Sequence, residues 1–127
     1  MALHPGSPFT LFGIPNCDSV KRARAWFAAQ AGVAPMFHDF KKAGLPEPEL
    51  DAWVEAVGWE RLLNRKGSTW LGLDDAARAA VVDASAAKRA MLAQPSLVKR
   101  PVVAWPDGSI TVGFDASLFV QKRAQSA

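Results

Sequence analysis

The apolar positions near the start of the chain change from a strand pattern to a helix pattern. Residues 8–13 (PFTLFG) combine β-branched and aromatic residues between a proline and a glycine, which predicts a short buried strand. Residues 18–30 then predict a helix closed by Gly32, with an apolar stripe at Val20, Ala23 and Phe27. Residues 34–40 (APMFHDF) predict a second strand. If the two strands are parallel, they form a strand–helix–strand unit with a right-handed crossover.

The middle of the chain has the spacing of helices. After the proline-containing break KKAGLPEPEL, apolar residues recur at helical intervals through residues 46–94. The first of these helices ends at Gly58, and two more are predicted over residues 74–82 and 85–93. The polar segment 64–70 (NRKGSTW) predicts a loop between helices. The stripe of the first helix consists of Leu50, Trp53, Val54 and Val57.

The last quarter of the chain returns to a strand pattern. Two β-rich runs, PVVAW and SITVGF, flank the turn residues PDG and predict a hairpin. Residues 115–122 then predict a capped terminal helix that can bury Leu118 and Phe119. The order of elements indicates an α/β fold, a thioredoxin-like mixed sheet with an inserted helical lobe. We expect one domain over residues 1–127, with its core in about 8–42 and 96–122 and its lobe in about 46–94.

Composition agrees with an ordinary globular protein. Of the 127 residues, 50% are hydrophobic and 21% are charged, and the net charge of +3 is too small to indicate a nucleic-acid partner. No stretch has the roughly 20 apolar residues that cross a bilayer, and residues 1–8 lack the pattern of a signal peptide. The chain has a single cysteine, so no internal disulfide is possible. A reducing cytoplasmic location is therefore expected, without membrane association.

That cysteine, Cys17, lies between the first predicted strand and the first predicted helix. Unpaired N–H groups and the positive end of the helix dipole favour a thiolate at this place, and Lys21 one turn later adds a cation. The alternative is a small, inert, packed thiol. The strand-to-helix junction favours the reactive interpretation. Position 20, where a resolving cysteine would stand, is Val20, so an outside thiol such as glutathione must resolve any mixed disulfide on Cys17.

Other candidates for chemistry are less distinctive. Arg100 precedes Pro101 at the start of a predicted strand, and Arg65 lies in the polar loop. Taken singly, each arginine is more typical of a solvated surface position than of a functional site, and Pro101 is compatible with a trans proline at an edge strand. The chain has two histidines, His4 and His38, and their spacing with one cysteine makes no zinc pattern, so no metal site is expected.

Four stretches together resemble the arsenate reductase-related (ArsC/Spx/YffB) family, and most closely its YffB-like branch, which carries a G-I-x-N-C-D-x-x-K type of motif. In chain order they are FGIPNCDSVKRARAWF, FHDFKKAGL, GWERLLNRKGSTW and LVKRPVV...VGF. The resemblance extends from about Phe9 to about Phe119. It implies a thioredoxin-like core with a helical insertion.

The resemblance also implies roles for individual residues. Cys17 falls on the catalytic cysteine, Arg100 on an arginine that contacts the bound anion, and Pro101 on a cis-proline after it. Arg65 matches an arginine that lines the anion site of arsenate reductases. Paired guanidinium donors suit an oxyanion or a glutathione carboxylate. A further arginine of true arsenate reductases is missing, because residues 112–114 read Val-Gly-Phe.

Two functions of different classes follow. The first is a monothiol, glutathione-dependent oxidoreductase without a bound cofactor, in which Cys17 attacks an unknown oxidised substrate. Arg100, Arg65 and Lys21 would then bind the anionic partner, glutathione or another small thiol. The second is a non-enzymatic regulator of the Spx class that binds a protein partner such as RNA polymerase. Spx-type regulators carry a CxxC motif, from which Val20 departs.

Overall fold

A mixed sheet of four short strands is present in the computed structural model, which describes residues 9–30 and 35–126. The strands lie in the order β2-β1-β3-β4. Strand β1 pairs in parallel with β2, whereas the pairs β1–β3 and β3–β4 are antiparallel. The strands are β1 (Thr10–Gly13), β2 (Met36–Asp39), β3 (Val102–Ala104) and β4 (Ile110–Val112). The predicted α/β class with a mixed sheet is therefore confirmed.

The helices account for most of the remaining described chain. In order they are α1 (Asp18–Ala28), α2 (Phe40–Ala43), α3 (Glu47–Val57), α4 (Trp59–Leu62), α5 (Ser68–Leu71), α6 (Asp75–Ala79), α7 (Ala84–Ala93) and α8 (Ala116–Ser126), with a 3₁₀ turn at Pro95–Leu97. In the described residues no helix combines the length and the apolar character that a membrane span needs.

The chain divides into two compact units. The first contains Met1–Ala43 and Arg100–Ala127, and the second contains Gly44–Lys99. In the first unit, all three residues of the predicted stripe of α1 are buried in one core with residues from β1, β3 and α8. This core consists of Phe9, Leu11, Val20, Ala23, Phe27, Val103, Trp105 and Phe119.

The second unit has its own core, to which α3, α4 and α7 contribute. Within it, Leu63 and Val98 form an isolated antiparallel bridge, and the N–H of Lys99 donates to the carbonyl of Leu62 at 2.8 Å. On α3 only Leu50 and Trp53 of the predicted stripe are fully buried, and Val54 and Val57 are half-buried.

Several predicted boundaries were wrong. The loop predicted over residues 64–70 ends early, because α5 begins at Ser68. The helix predicted over residues 74–82 is shorter, ending at Ala79. The second strand ends at Asp39, whose side chain accepts the N–H groups of the following short helix α2. Helix α1 ends at Ala28, and Gly32, the predicted end, lies outside the described residues, as does Pro8.

Candidate active site at Cys17

Cys17 is the N-cap residue of α1. Its backbone is extended (φ −141°, ψ 127°), and its carbonyl accepts the N–H of Lys21 at 2.9 Å, the first hydrogen bond of the helix. The side chain is half-buried and packs against the core of the first unit. The thiol therefore lies at the end of the helix where N–H groups lack partners within the helix.

The surroundings of the sulfur favour the thiolate. Partial burial by itself raises the pKa of Cys17, because it removes water from the charged form. Three groups act in the opposite direction and together outweigh burial, so the pKa of Cys17 lies below its ordinary value. They are the N–H of Val20, the side chain of Arg100, which acts through hydrogen bonding and positive charge, and the N–H of Ser19. The sulfur makes no cap hydrogen bond with α1, and the N–H groups of Val20 and Ser19 favour its charged form as part of the positive end of the helix.

Arg100 lies two residues before β3, and its side chain acts on the sulfur of Cys17. The residue is half-buried, and the Arg100–Pro101 peptide bond is cis, the geometry that the family resemblance implies. Pro101 is buried, and its carbonyl accepts the N–H of Gly113 at 2.8 Å. A hydrogen bond thus holds the segment that carries Arg100 against the residue that follows β4.

Lys21 contributes to this site through its backbone. Its side chain is exposed, and the charged side chain that lowers the pKa of Cys17 is that of Arg100. Its role as a ligand for an anionic partner stays a prediction.

Arg65 belongs to the second unit. Its side chain is exposed and lies near the faces of two tryptophan rings, with the guanidinium carbon 5.5 Å from the ring centre of Trp59 and 5.9 Å from that of Trp70. These are cation–π distances, and they restrict the orientation of the guanidinium plane. Its role as an anion ligand also stays a prediction.

The sequence predicts that unpaired N–H groups at the start of the first helix act on the thiol, but it does not identify them. They are the N–H groups of Val20 and Ser19, both in the first turn of a helix that begins at Asp18. Among the described residues, no group of three or more histidine, cysteine or acidic side chains could hold a metal ion.

Known proteins match this chain over most of its length. The model of the ArsC family matches residues 12–120, a range that includes both Cys17 and Arg100. An uncharacterized protein of Haemophilus influenzae is 33% identical over 106 residues, which are 84% of this chain and 90% of that protein.

Two solved structures share the fold with comparable coverage. A protein named YFFB superposes with a TM-score of 0.83 at 39% identity, covering 90% of this chain and 97% of the other. An arsenate reductase (ArsC) related protein from Brucella melitensis superposes with a TM-score of 0.69 at 44% identity, covering 93% of this chain and 95% of the other.

Proposed function

The chain belongs to the ArsC family, and we propose from this premise that it is a monothiol, glutathione-dependent reductase whose nucleophile is Cys17. The observation that carries the proposal is the environment of the sulfur. The thiol is half-buried at the start of α1, and the nearby Arg100 side chain helps to lower its pKa. The thiolate is the form that attacks a disulfide, so a lowered pKa raises its fraction at neutral pH.

The proposed reaction has two exchange steps. The Cys17 thiolate attacks the glutathione sulfur of a mixed disulfide, a bond forms between the two sulfurs, and the substrate leaves as a thiolate that takes up a proton. A second glutathione, as its thiolate, then attacks the glutathione sulfur bound to Cys17. Oxidised glutathione leaves, and the Cys17 thiolate is regenerated. Across the two steps, the disulfide bond of the substrate is broken, one glutathione thiol is consumed, and the disulfide leaves as oxidised glutathione, which glutathione reductase reduces with two electrons from NADPH.

The second step needs an external thiol because the chain has one cysteine. Val20 takes the place of a resolving cysteine, and its side chain is buried in the core of the first unit. Glutathione fits this need because it is a small thiol that carries carboxylates, for which a guanidinium is a paired donor. Arg100 is the proposed contact for that negative charge beside the sulfur.

The test is a coupled assay with purified protein. The substrate is the mixed disulfide of glutathione with 2-mercaptoethanol, and glutathione, glutathione reductase and NADPH supply the electrons. We expect turnover by the wild type, none above background with Cys17→Ser, and reduced turnover with Arg100→Lys. Arg22→Lys is the matched control, because Arg22 is an exposed arginine on α1; its turnover should equal that of the wild type.

Other outcomes separate the alternatives. Absence of turnover with wild-type protein would contradict the proposal, and co-purification of RNA polymerase in that case would support a regulator of the Spx class. Arsenate in place of the disulfide should give no turnover, because residues 112–114 supply no cationic side chain for a second contact with an oxyanion.

A further inference from the structure

Gly13 and Val20 approach each other too closely to leave room for a side chain at position 13. Gly13 is the last residue of β1, and Val20 lies in the first turn of α1. A Cβ atom at Gly13 would lie 2.7 Å from one methyl carbon of Val20 and 3.6 Å from the other. The backbone of Gly13 does not have a positive φ, so an alanine at this position would be opposed by the contact with Val20 and not by the backbone conformation.

Val20 cannot easily move away from such a contact. Its side chain has no exposed surface (0%) and packs in the core of the first unit. In a helix, a valine side chain strongly prefers one rotamer, because both methyl groups are attached to Cβ. A change at Gly13 must therefore shift the backbone of Val20 as well as its methyl groups.

The backbone of Val20 is one of the groups that act on Cys17. Its N–H lies in the first turn of α1 and lowers the pKa of Cys17, and the carbonyl of Cys17 accepts the N–H of Lys21 at 2.9 Å. We propose that Gly13 and Val20 are positioning residues for Cys17. Because Gly13 has no side chain, Val20 packs directly against the end of β1. This contact holds the first turn of α1 next to the sulfur.

The catalytic role of these two positioning residues rests on the proposed function, but the test measures the reactivity of the thiol directly and needs no activity assay. The protein has one cysteine, so the pH dependence of alkylation by iodoacetamide reports Cys17 alone. Arg100 is the charged side chain that acts on the sulfur, and it stays unchanged in every variant.

The experiment compares Gly13→Ala, Val20→Ala and the double variant Gly13→Ala/Val20→Ala. Gly13→Ala crowds the contact and Val20→Ala loosens it, so each should raise the alkylation midpoint by roughly 0.5–1 pH unit through weaker N–H interaction with the thiolate. The double variant adds one methyl group at position 13 and removes the two methyl carbons of Val20 that it would meet, so its midpoint should lie closer to the wild-type value than that of either single variant.

Val103→Ala is the matched control, because Val103 is a fully buried valine of the same core on β3. It should lower stability in urea without moving the alkylation midpoint. Wild-type midpoints in both single variants would overturn the proposal, and so would an equal shift in Val103→Ala. If Gly13→Ala does not fold, Val20→Ala against Val103→Ala decides the question. Turnover of the mixed disulfide with unshifted midpoints would retain the proposed function and reject this inference alone.

Discussion

The side chain of Arg100 lies near the sulfur of Cys17 and lowers the pKa of the thiol, both as a hydrogen-bond donor and through its positive charge. Arg100 lies at the start of the segment that leads into β3, and Cys17 at the start of α1, so the pairing of β1 with β3 brings together residues from the two chain segments of the first unit. A guanidinium is always charged at physiological pH, and its hydrogen bond to a thiolate is charge-assisted. The pairing therefore stabilises the reactive form of the cysteine before any substrate binds.

Replacing Arg100 should raise the pKa of Cys17. Arg100→Ala removes both the hydrogen bond and the charge, so its alkylation midpoint should rise above that of the wild type. Arg100→Lys keeps the charge without the planar fork, so its midpoint should lie between the two. The measurement is the rate of iodoacetamide alkylation against pH, with Arg22→Ala as the exposed control. Equal midpoints in Arg100→Ala and wild type would show that Arg100 does not act on the sulfur.

The lowered pKa of Cys17 should also appear in the pH dependence of stability. Between the folded pKa and the ordinary thiol value of about 8.5, the unfolded chain binds more protons at Cys17 than the folded chain does. The contribution of this thiol to the free energy of unfolding therefore rises with pH through that window, levels off above it, and is lost as pH falls through the folded pKa.

Urea unfolding of the wild type and of Cys17→Ser across this pH range measures that contribution. Other titrating groups are the same in both proteins, so the difference between them isolates position 17. We expect the wild type to gain stability relative to Cys17→Ser as pH rises. A difference that stays constant with pH would contradict a lowered pKa.

Arg65 provides a separate test of the anion site that the family resemblance implies. Arg65→Lys keeps the positive charge but removes the planar guanidinium group that lies near the rings of Trp59 and Trp70. We expect the KM for the glutathione mixed disulfide to rise about two- to fivefold, the equivalent of the 0.5–1 kcal/mol of an exposed cation–π contact. The alkylation midpoint of Cys17 should not change. Arg61→Lys, at another exposed arginine of the second unit, is the control, and an unchanged KM in Arg65→Lys would remove Arg65 from the site.

The local pattern of apolar residues was enough to predict the strand–helix–strand unit. Val20, Ala23 and Phe27 recur at helical spacing, and all three are buried on α1. The hairpin was predicted equally well, because its turn residues are local; Gly108 in the turn has φ 89°. Patterns of this kind are dictated by neighbours in the sequence, so one sequence is sufficient to find them.

Features set by distant contacts could not be predicted in the same way. The Arg78 side chain donates to the carbonyl of Leu71 at 3.1 Å and so holds the end of α5, a contact that local pattern does not reveal. Val82 falls within the helix predicted over residues 74–82, but its side chain is 70% exposed, so no burial extends α6 beyond Ala79. At the site, the helix start was visible in the sequence, whereas the approach of Gly13 to Val20 depends on how β1 packs against α1.

A buried hydrogen bond stabilises the core against which Cys17 packs. The indole N–H of Trp105 donates to the hydroxyl of Thr111 at 3.0 Å, and both residues are buried. The ring of Trp105 packs edge-on against Phe119, with ring centres 5.2 Å apart. This polar pair therefore lies inside an otherwise apolar cluster, where no water molecule could replace the Thr111 hydroxyl as hydrogen-bond acceptor for the indole.

Thr111→Val should lower the free energy of unfolding by about 1–3 kcal/mol, the cost of leaving a buried donor unsatisfied. Thr111→Ser keeps the hydroxyl and removes a methyl group, so it separates the hydrogen bond from packing and should retain more of the interaction with Trp105. In a Trp105→Phe background the donor is absent, and Thr111→Val should then cost much less than it does in the wild type. Urea unfolding of the four proteins of this double-mutant cycle measures the coupling. If Thr111→Val lowers the free energy of unfolding equally in the wild-type and Trp105→Phe backgrounds, Thr111 stabilises the protein through packing on β4 and not through its hydrogen bond with the indole.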